Sequence, residues 1–237
     1  MLEATQRALV RGPTFIRLLA RLSDADAPPQ PASLSDRLSE WIDWTRAVAL
    51  SRVLDRRAPA PEFGAPAFDS AEEAACAGAR ASLTGAIAAG LATAAGGPSA
   101  DDAPPDYAAF RQHYLAMQRA MLTATGRWRG RLRDMLAGTT PPLARLAELD
   151  ALMEGVLSPR EHALLAQVPQ LLGTHFERLR LAAQASDGAT PGAWLEVFRK
   201  DMHGVLLAEL DVRFLPLEGL LAALRSHALG THVQTSA

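Results

Sequence analysis

The sequence predicts an all-α fold, a multi-helix bundle of about seven or eight helices joined by Pro/Gly/Ala-rich linkers, and three observations carry that prediction. Through most of the 237 residues apolar side chains recur at spacings of three and four, as on one stripe of a helix. An apolar fraction of 49% with 21% charged residues is that of a chain that buries a core, which excludes disorder throughout. Proline and glycine are gathered into DADAPPQPAS (24–33), APAPEFGAPAFDS (58–70) and GGPSADDAPP (96–105), leaving long helical stretches between. The expected organisation is N-terminal helices over 1–57, a flexible Ala/Pro-rich linker with an Ala-rich helix over 58–104, and a main helical bundle over 105–228 that forms one domain with 1–57.

In chain order, Gly12 and Pro13 precede a short basic helix with Phe15, Leu18, Leu19 and Leu22 on its apolar face and Arg17 and Arg21 outside it. Such a helix docks on its own domain more readily than on a membrane. Ser33 or Ser35 caps a second helix over Leu34 to Asp55, which offers Leu38, Trp41, Ile42, Val48, Ala49 and Val53 for burial. Trp44 lies off that stripe and suggests a second contact surface. Residues 71–95 are alanine-rich and carry no charge from Ala81 to Ala95, a run shorter than the roughly 20 residues a membrane span needs. That helix uses small side chains for close approach of a neighbour, while Gly85 and Gly90 weaken it intrinsically.

The most regular helix is expected from Pro105 to Ala137. Tyr107, Phe110, Tyr114, Met117, Met121, Trp128, Leu132 and Met135 fall within one narrow arc if the helix continues through Gly126. This reads as a coiled-coil-like seam buried against other helices of the same fold or of a second subunit, with Arg129 on the exposed side. Leu146, Leu149, Met153 and Val156 make the next stripe. Ser158, Pro159 and Glu161 then supply a cap hydroxyl, a pre-set φ and a reciprocating carboxylate, so a new helix is expected to start there and to be kinked at Pro169. After the turn ASDGATPG, the residues Trp194, Leu195, Phe198, Met202, Val205 and Leu206 share a face, with Glu196 to Lys200 and Glu209 to Arg213 as pairs four apart. Pro216 is expected to end this helix, with a short last one from Leu217 to Leu224 and a frayed tail.

Charge and motif content exclude several functions. The formal charge of −2 argues against overall polyanion binding, although residues 58–106 hold seven acids against the base Arg80 and residues 107–137 hold six arginines against the acid Asp134. Cys76 stands alone, so there is no intramolecular disulfide and no multi-cysteine metal site. The only lysine, Lys200, lies in FRKDM, which excludes a phosphate-binding loop. No GxSxG, HExxH or GxGxxG occurs, and no histidine has a glutamate three residues before it as a di-iron bundle requires. The N-terminus lacks the apolar core of a secretory signal, so a cytoplasmic location is expected.

The segments RGPTFIRLL, LSEWIDWTRAVALSRVLD, DYAAFRQHYLAMQRAM, LSPREHALLAQVPQLLGTHFERLR and WLEVFRKDMHGVLLAELDVRFLPLEGLLAAL together resemble an uncharacterised proteobacterial family of helical proteins, a domain of unknown function. The resemblance implies a bacterial, cytoplasmic, helical protein. Its members look like accessory partners of envelope-spanning complexes, a reading that no motif in this chain carries.

The expectation for function is a non-catalytic helical interaction or adaptor protein, with no cofactor, no metal and no transmembrane segment. Its partner is another protein or a second copy of the chain. Candidate interaction residues are Tyr107, Phe110, Tyr114, Trp128, Arg129, Arg133 and Trp44. One alternative is nucleic-acid binding by the basic face of Arg111, Arg119, Arg127, Arg129, Arg131 and Arg133. A second is a haem or enzyme site around His175, which is expected to be buried and bonded to a carbonyl or carboxylate in a structural role.

Overall fold

The computed structural model describes residues 14–23, 41–55, 68–94, 106–185, 190 and 192–235, and every regular element among them is a helix. The protein is an all-α bundle, as the periodicity predicts. We label the helices α1 (Thr14–Ser23), α2 (Trp44–Asp55), α3 (Ser70–Ala94), α4 (Tyr107–Ala137), α5 (Pro141–Leu165), α6 (Val168–Gln184) and α7 (Ala193–Thr235). The linker stretches 24–33, 58–67 and 96–105, the Ser33 or Ser35 cap and Leu38 lie outside the described residues.

Aspartates start two helices. Asp43 accepts from the Arg46 amide at 2.8 Å and begins α2, and Asp69 accepts from the amides of Ala71 at 2.8 Å and Glu72 at 3.2 Å and begins α3. Each carboxylate satisfies N–H groups that the first helical turn leaves without a partner. The helix α4 runs unbroken through Gly126, as its spacing predicts.

The helix expected over Leu34 to Asp55 is interrupted at Ile42 and Asp43, where Asp43 caps a new start at Trp44, and three later boundaries also differ from expectation. No helix starts at Ser158: α5 continues through Pro159 to Leu165. The hydrogen bond that Pro159 cannot make would have gone to the carbonyl of Gly155, and both residues are exposed, so water replaces it at little cost. Glu161, the supposed capping carboxylate, pairs instead with Arg213 at 3.2 Å. The true break lies at 166–167, where Pro169 sits in the first turn of α6 and does not kink a helix. Pro169 has no N–H for the Leu165 carbonyl, and the Gln118 side-chain amide donates to that carbonyl at 3.1 Å. The third difference is α7, which passes through Pro216 and continues to Thr235, so there is no separate last helix.

The chain forms two compact units, each assembled from separate stretches. Unit 1 comprises Met1–Pro31, Ala81–Met121 and Leu165–Val212, and unit 2 comprises Ala32–Arg80, Leu122–Leu164 and Arg213–Ala237. The core of unit 1 is an aromatic cluster. Phe198 meets Phe110 at 5.2 Å and Phe176 at 5.0 Å, both edge-on, and Phe176 meets Trp194 at 5.0 Å. Helix α1 docks on α6 with Phe15 and Leu22 buried.

Close approach in unit 1 depends on two glycines. A Cβ on Gly90 would stand 2.1 Å from His113 Cε1, and one on Gly173 would stand 2.9 Å from Tyr107 Cε1. Gly85, by contrast, faces open space. Thus the expectation that small residues on α3 admit a neighbour holds at Gly90, where the His113 ring reaches the Ile87 carbonyl at 3.2 Å.

In unit 2 the buried residues include Cys76, Leu132, Met135, Val156, Phe214, Leu217 and Leu224. Burial raises the Cys76 thiol above its usual range, against the lowering effect of Arg80, which fits a small apolar residue and not a reactive thiolate. Ion pairs rim this core: Arg80 to Glu218 at 2.6 Å, Arg225 to Glu73 at 3.4 Å, and Arg131 to Glu72. By length and composition Ser70–Thr93 is apolar enough to cross a membrane. The same helix carries Glu72, Glu73 and Arg80 into these ion pairs.

Candidate functional site

The polar group that links three helices of unit 1 is His175. It lies on the inner face of α6 with its side chain 6% exposed, one turn before Arg178 and opposite Asp201 of α7. Arg178 Nη2 donates to His175 Nδ1 at 2.9 Å. Arginine has no acceptor atom, so Nδ1 must accept, and the imidazole proton therefore sits on Nε2. From there it is donated to Asp201 Oδ2 at 2.9 Å. The same Arg178 Nη2 donates to the Leu22 carbonyl at 2.8 Å, and Arg21 reaches Asp201 Oδ1 at 3.3 Å. Side chains of α6 and α7 thus hold the last turn of α1.

This bears out the buried, carboxylate-bonded histidine that the sequence suggests. Both ring nitrogens are bonded to protein groups. Asp201 is the partner that sequence reasoning missed. No local spacing connects residues 175 and 201; packing of α6 against α7 does.

A second buried polar cluster lies on α4. Glu209 is fully buried, accepts from Tyr114 Oη at 2.5 Å and from Gln118 Nε2 at 3.3 Å, and links α7 to α4. Tyr107 donates its hydroxyl to the Pro169 carbonyl, and burial pushes its phenol up to about 12. Beside it, Tyr107, Arg111, Leu115, Pro169 and Gln170 line a cleft of 430 Å³.

The remaining candidates fall in unit 2. Arg129 was expected on an exposed side, but its side chain is only 15% exposed and it forms a fork with Asp150 of α5, Nε to Oδ2 at 2.8 Å and Nη2 to Oδ1 at 2.7 Å. Arg133 bonds Glu154 at 2.5 Å and Asp150 at 3.4 Å. The reason for the difference is tertiary: the two acids one turn apart on α5 draw both guanidinium groups in. Trp128, read as core, is half-buried, with the Arg131 guanidinium 5.8 Å over its ring.

As contact residues the candidates divide sharply. Phe110 and Tyr114 are 1% and 0% exposed and belong to the core of unit 1, so they present nothing to a partner. Tyr107 and Trp128 are half-buried. Trp44 is 82% exposed, and α2, which it begins, has no fully buried side chain, residues 46–50 and Val53 being half-buried. Just before it, the half-buried Trp41 lies under the Arg160 guanidinium at 5.5 Å, which ties the start of α2 to α5. Among the described residues no group of three or more His, Cys, Asp or Glu could hold a metal ion.

The family model described as "Protein of unknown function (DUF3348)" matches residues 1–226. The chain belongs to this family. The resemblance to a domain of unknown function read from its helical segments is therefore correct, and the match takes in the His175 cluster, α2 and parts of both compact units. No curated protein and no solved structure matches the chain.

Proposed function

We propose that this DUF3348-family chain is a non-catalytic helical interaction or adaptor protein of the bacterial cytoplasm, an accessory partner of an envelope-spanning complex, with α2 as its partner-facing element. One observation carries this reading: Trp44 stands 82% exposed on a helix that has no fully buried side chain, residues 46–50 and Val53 being half-buried. A large exposed aromatic is unfavourable in water and is the residue type that most often anchors a protein interface. Leu54, 51% exposed near the end of α2, extends the apolar surface.

The polar groups that suggested other chemistry have structural partners, which supports the same reading. Arg129, Arg131 and Arg133 are engaged by carboxylates of unit 2, leaving Arg111, Arg119 and Arg127 as the exposed cations of the proposed nucleic-acid face. His175 joins three helices.

The test is to isolate the complexes formed by wild-type and Trp44→Ala protein expressed at native level in the source bacterium. The reading requires that a specific partner be lost with Trp44→Ala while the isolated chain keeps its stability to within about 0.5 kcal/mol, as for a surface substitution. Identical complexes from both proteins would remove α2 as the interaction element.

A further inference from the structure

The bonds around His175 form a closed circuit. Arg178 grips the Leu22 carbonyl and His175 Nδ1, His175 Nε2 grips Asp201, and Asp201 grips Arg21, which neighbours Leu22 on α1. We propose that this circuit is a proton-sensitive latch that releases α1 from unit 1 on acidification. The inference is independent of the surface at Trp44.

The argument rests on donors and acceptors. With α1 docked, Nδ1 accepts from a guanidinium that can only donate, so a proton added there would point at an N–H and force Arg178 away. Arg178 then loses the geometry in which one nitrogen serves both His175 and the Leu22 carbonyl. In the released state Arg178 is no longer held by α1, Nδ1 can take the proton, and the imidazolium keeps Asp201 as its counter-charge. Asp201 meanwhile gives up Arg21, whose side chain is 64% exposed and readily solvated.

The charged groups on the ring are Arg178 from α6, Asp201 from α7 and, through Asp201, Arg21 from α1; α7 otherwise presents the Phe198 ring, 6.1 Å away. Because the released state binds the extra proton, lowering the pH favours release. Phe15 and Leu22 of α1 are buried and Leu18 and Leu19 half-buried, so the polar bonds act beside this apolar hold.

The experiment places a nitroxide at position 16 as Ile16→Cys in a Cys76→Ala background and follows its mobility in the full chain between about pH 8 and about pH 5. The expected result is an immobilised label at the upper pH and a reversible, mobile component at the lower, with helical circular dichroism retained. The release constant should rise by up to about tenfold per pH unit, the limit for uptake of one proton. His175→Gln should abolish the acid-dependent step. Should that variant not fold, Arg178→Gln decides, since it removes the opposing donor and should leave α1 loosened with no pH step. An acid step that persists in the folded variant, or a label that stays immobilised at pH 5 in the parent, overturns the latch.

Discussion

Gly85 and Gly90 lie five residues apart on α3, and the structure predicts opposite outcomes when each becomes alanine. In a helix interior, alanine is favoured over glycine by about 1 kcal/mol. At Gly85 nothing lies within 4 Å of the new methyl group, so Gly85→Ala should stabilise the chain by about 0.5–1 kcal/mol. At Gly90 the methyl group would stand 2.1 Å from Cε1, 2.3 Å from Nδ1 and 2.9 Å from Nε2 of His113. The ring must leave, losing its bond to the Ile87 carbonyl, worth about 0.5–1.5 kcal/mol, and overpacking adds about 1–3 kcal/mol. Against the gain in propensity, Gly90→Ala should be destabilising by about 1–3 kcal/mol. Thermal unfolding followed by circular dichroism reads both variants, at about 2–4 °C per kcal/mol for a chain of this size. In a His113→Ala background the penalty at position 90 should vanish and the substitution should behave as at 85. If Gly90→Ala raised the melting temperature as Gly85→Ala does, the approach of α4 to α3 described here would be wrong.

Arg129→Ala should destabilise by about 1.5–3 kcal/mol, since it breaks a forked, largely buried bond to a carboxylate, and a double-mutant cycle with Asp150→Ala should show coupling in urea unfolding. Tyr107 should resist ionisation until about pH 12, read as tyrosinate absorbance that is lost in Tyr107→Phe. Burial raises this phenol above its unfolded value of about 10, so its contribution to stability is full below about pH 10 and falls as the pH rises toward the folded value. For His113 burial is the larger effect and lowers its pKa despite the Ile87 bond, so the fold favours the neutral ring. Its contribution is present above the unfolded value near ~6.5 and is lost as the pH falls, which His113→Gln should flatten in a stability–pH profile.

The long elements were legible because their signal is periodic and repeated. On α4 the apolar arc from Phe110 to Met135 runs through Gly126 without a break, and the face of α7 from Leu195 to Leu206 is buried as its spacing implies. Boundaries were less legible because they are decided by partners distant in sequence. Ser158, Pro159 and Glu161 carry every local mark of a helix start, yet Glu161 is used by Arg213 and the backbone near Pro159 is exposed to solvent. Pro169 does mark a boundary because Gln118, about fifty positions earlier, satisfies the carbonyl it strands.

The same division holds for the candidate site. Burial of His175 could be read from its place on the arc of α6, and its pairing with Arg178 from an i, i+3 spacing. Its link to Asp201 and to α1 could not, since no periodicity relates three separate helices. Trp44 was legible as a residue off the apolar stripe. Arg129 and Arg133 misled, because a basic face on one helix does not reveal the acids on its neighbour.

The central claim, that α2 is the partner-facing element, is tested most directly by placing a photo-crosslinking amino acid at position 44 in the native bacterium and comparing it with the same group at Leu181, 58% exposed on α6. The account predicts adducts of discrete mass from position 44 that are absent from position 181. No adduct at 44, or the same adducts at both positions, would contradict it.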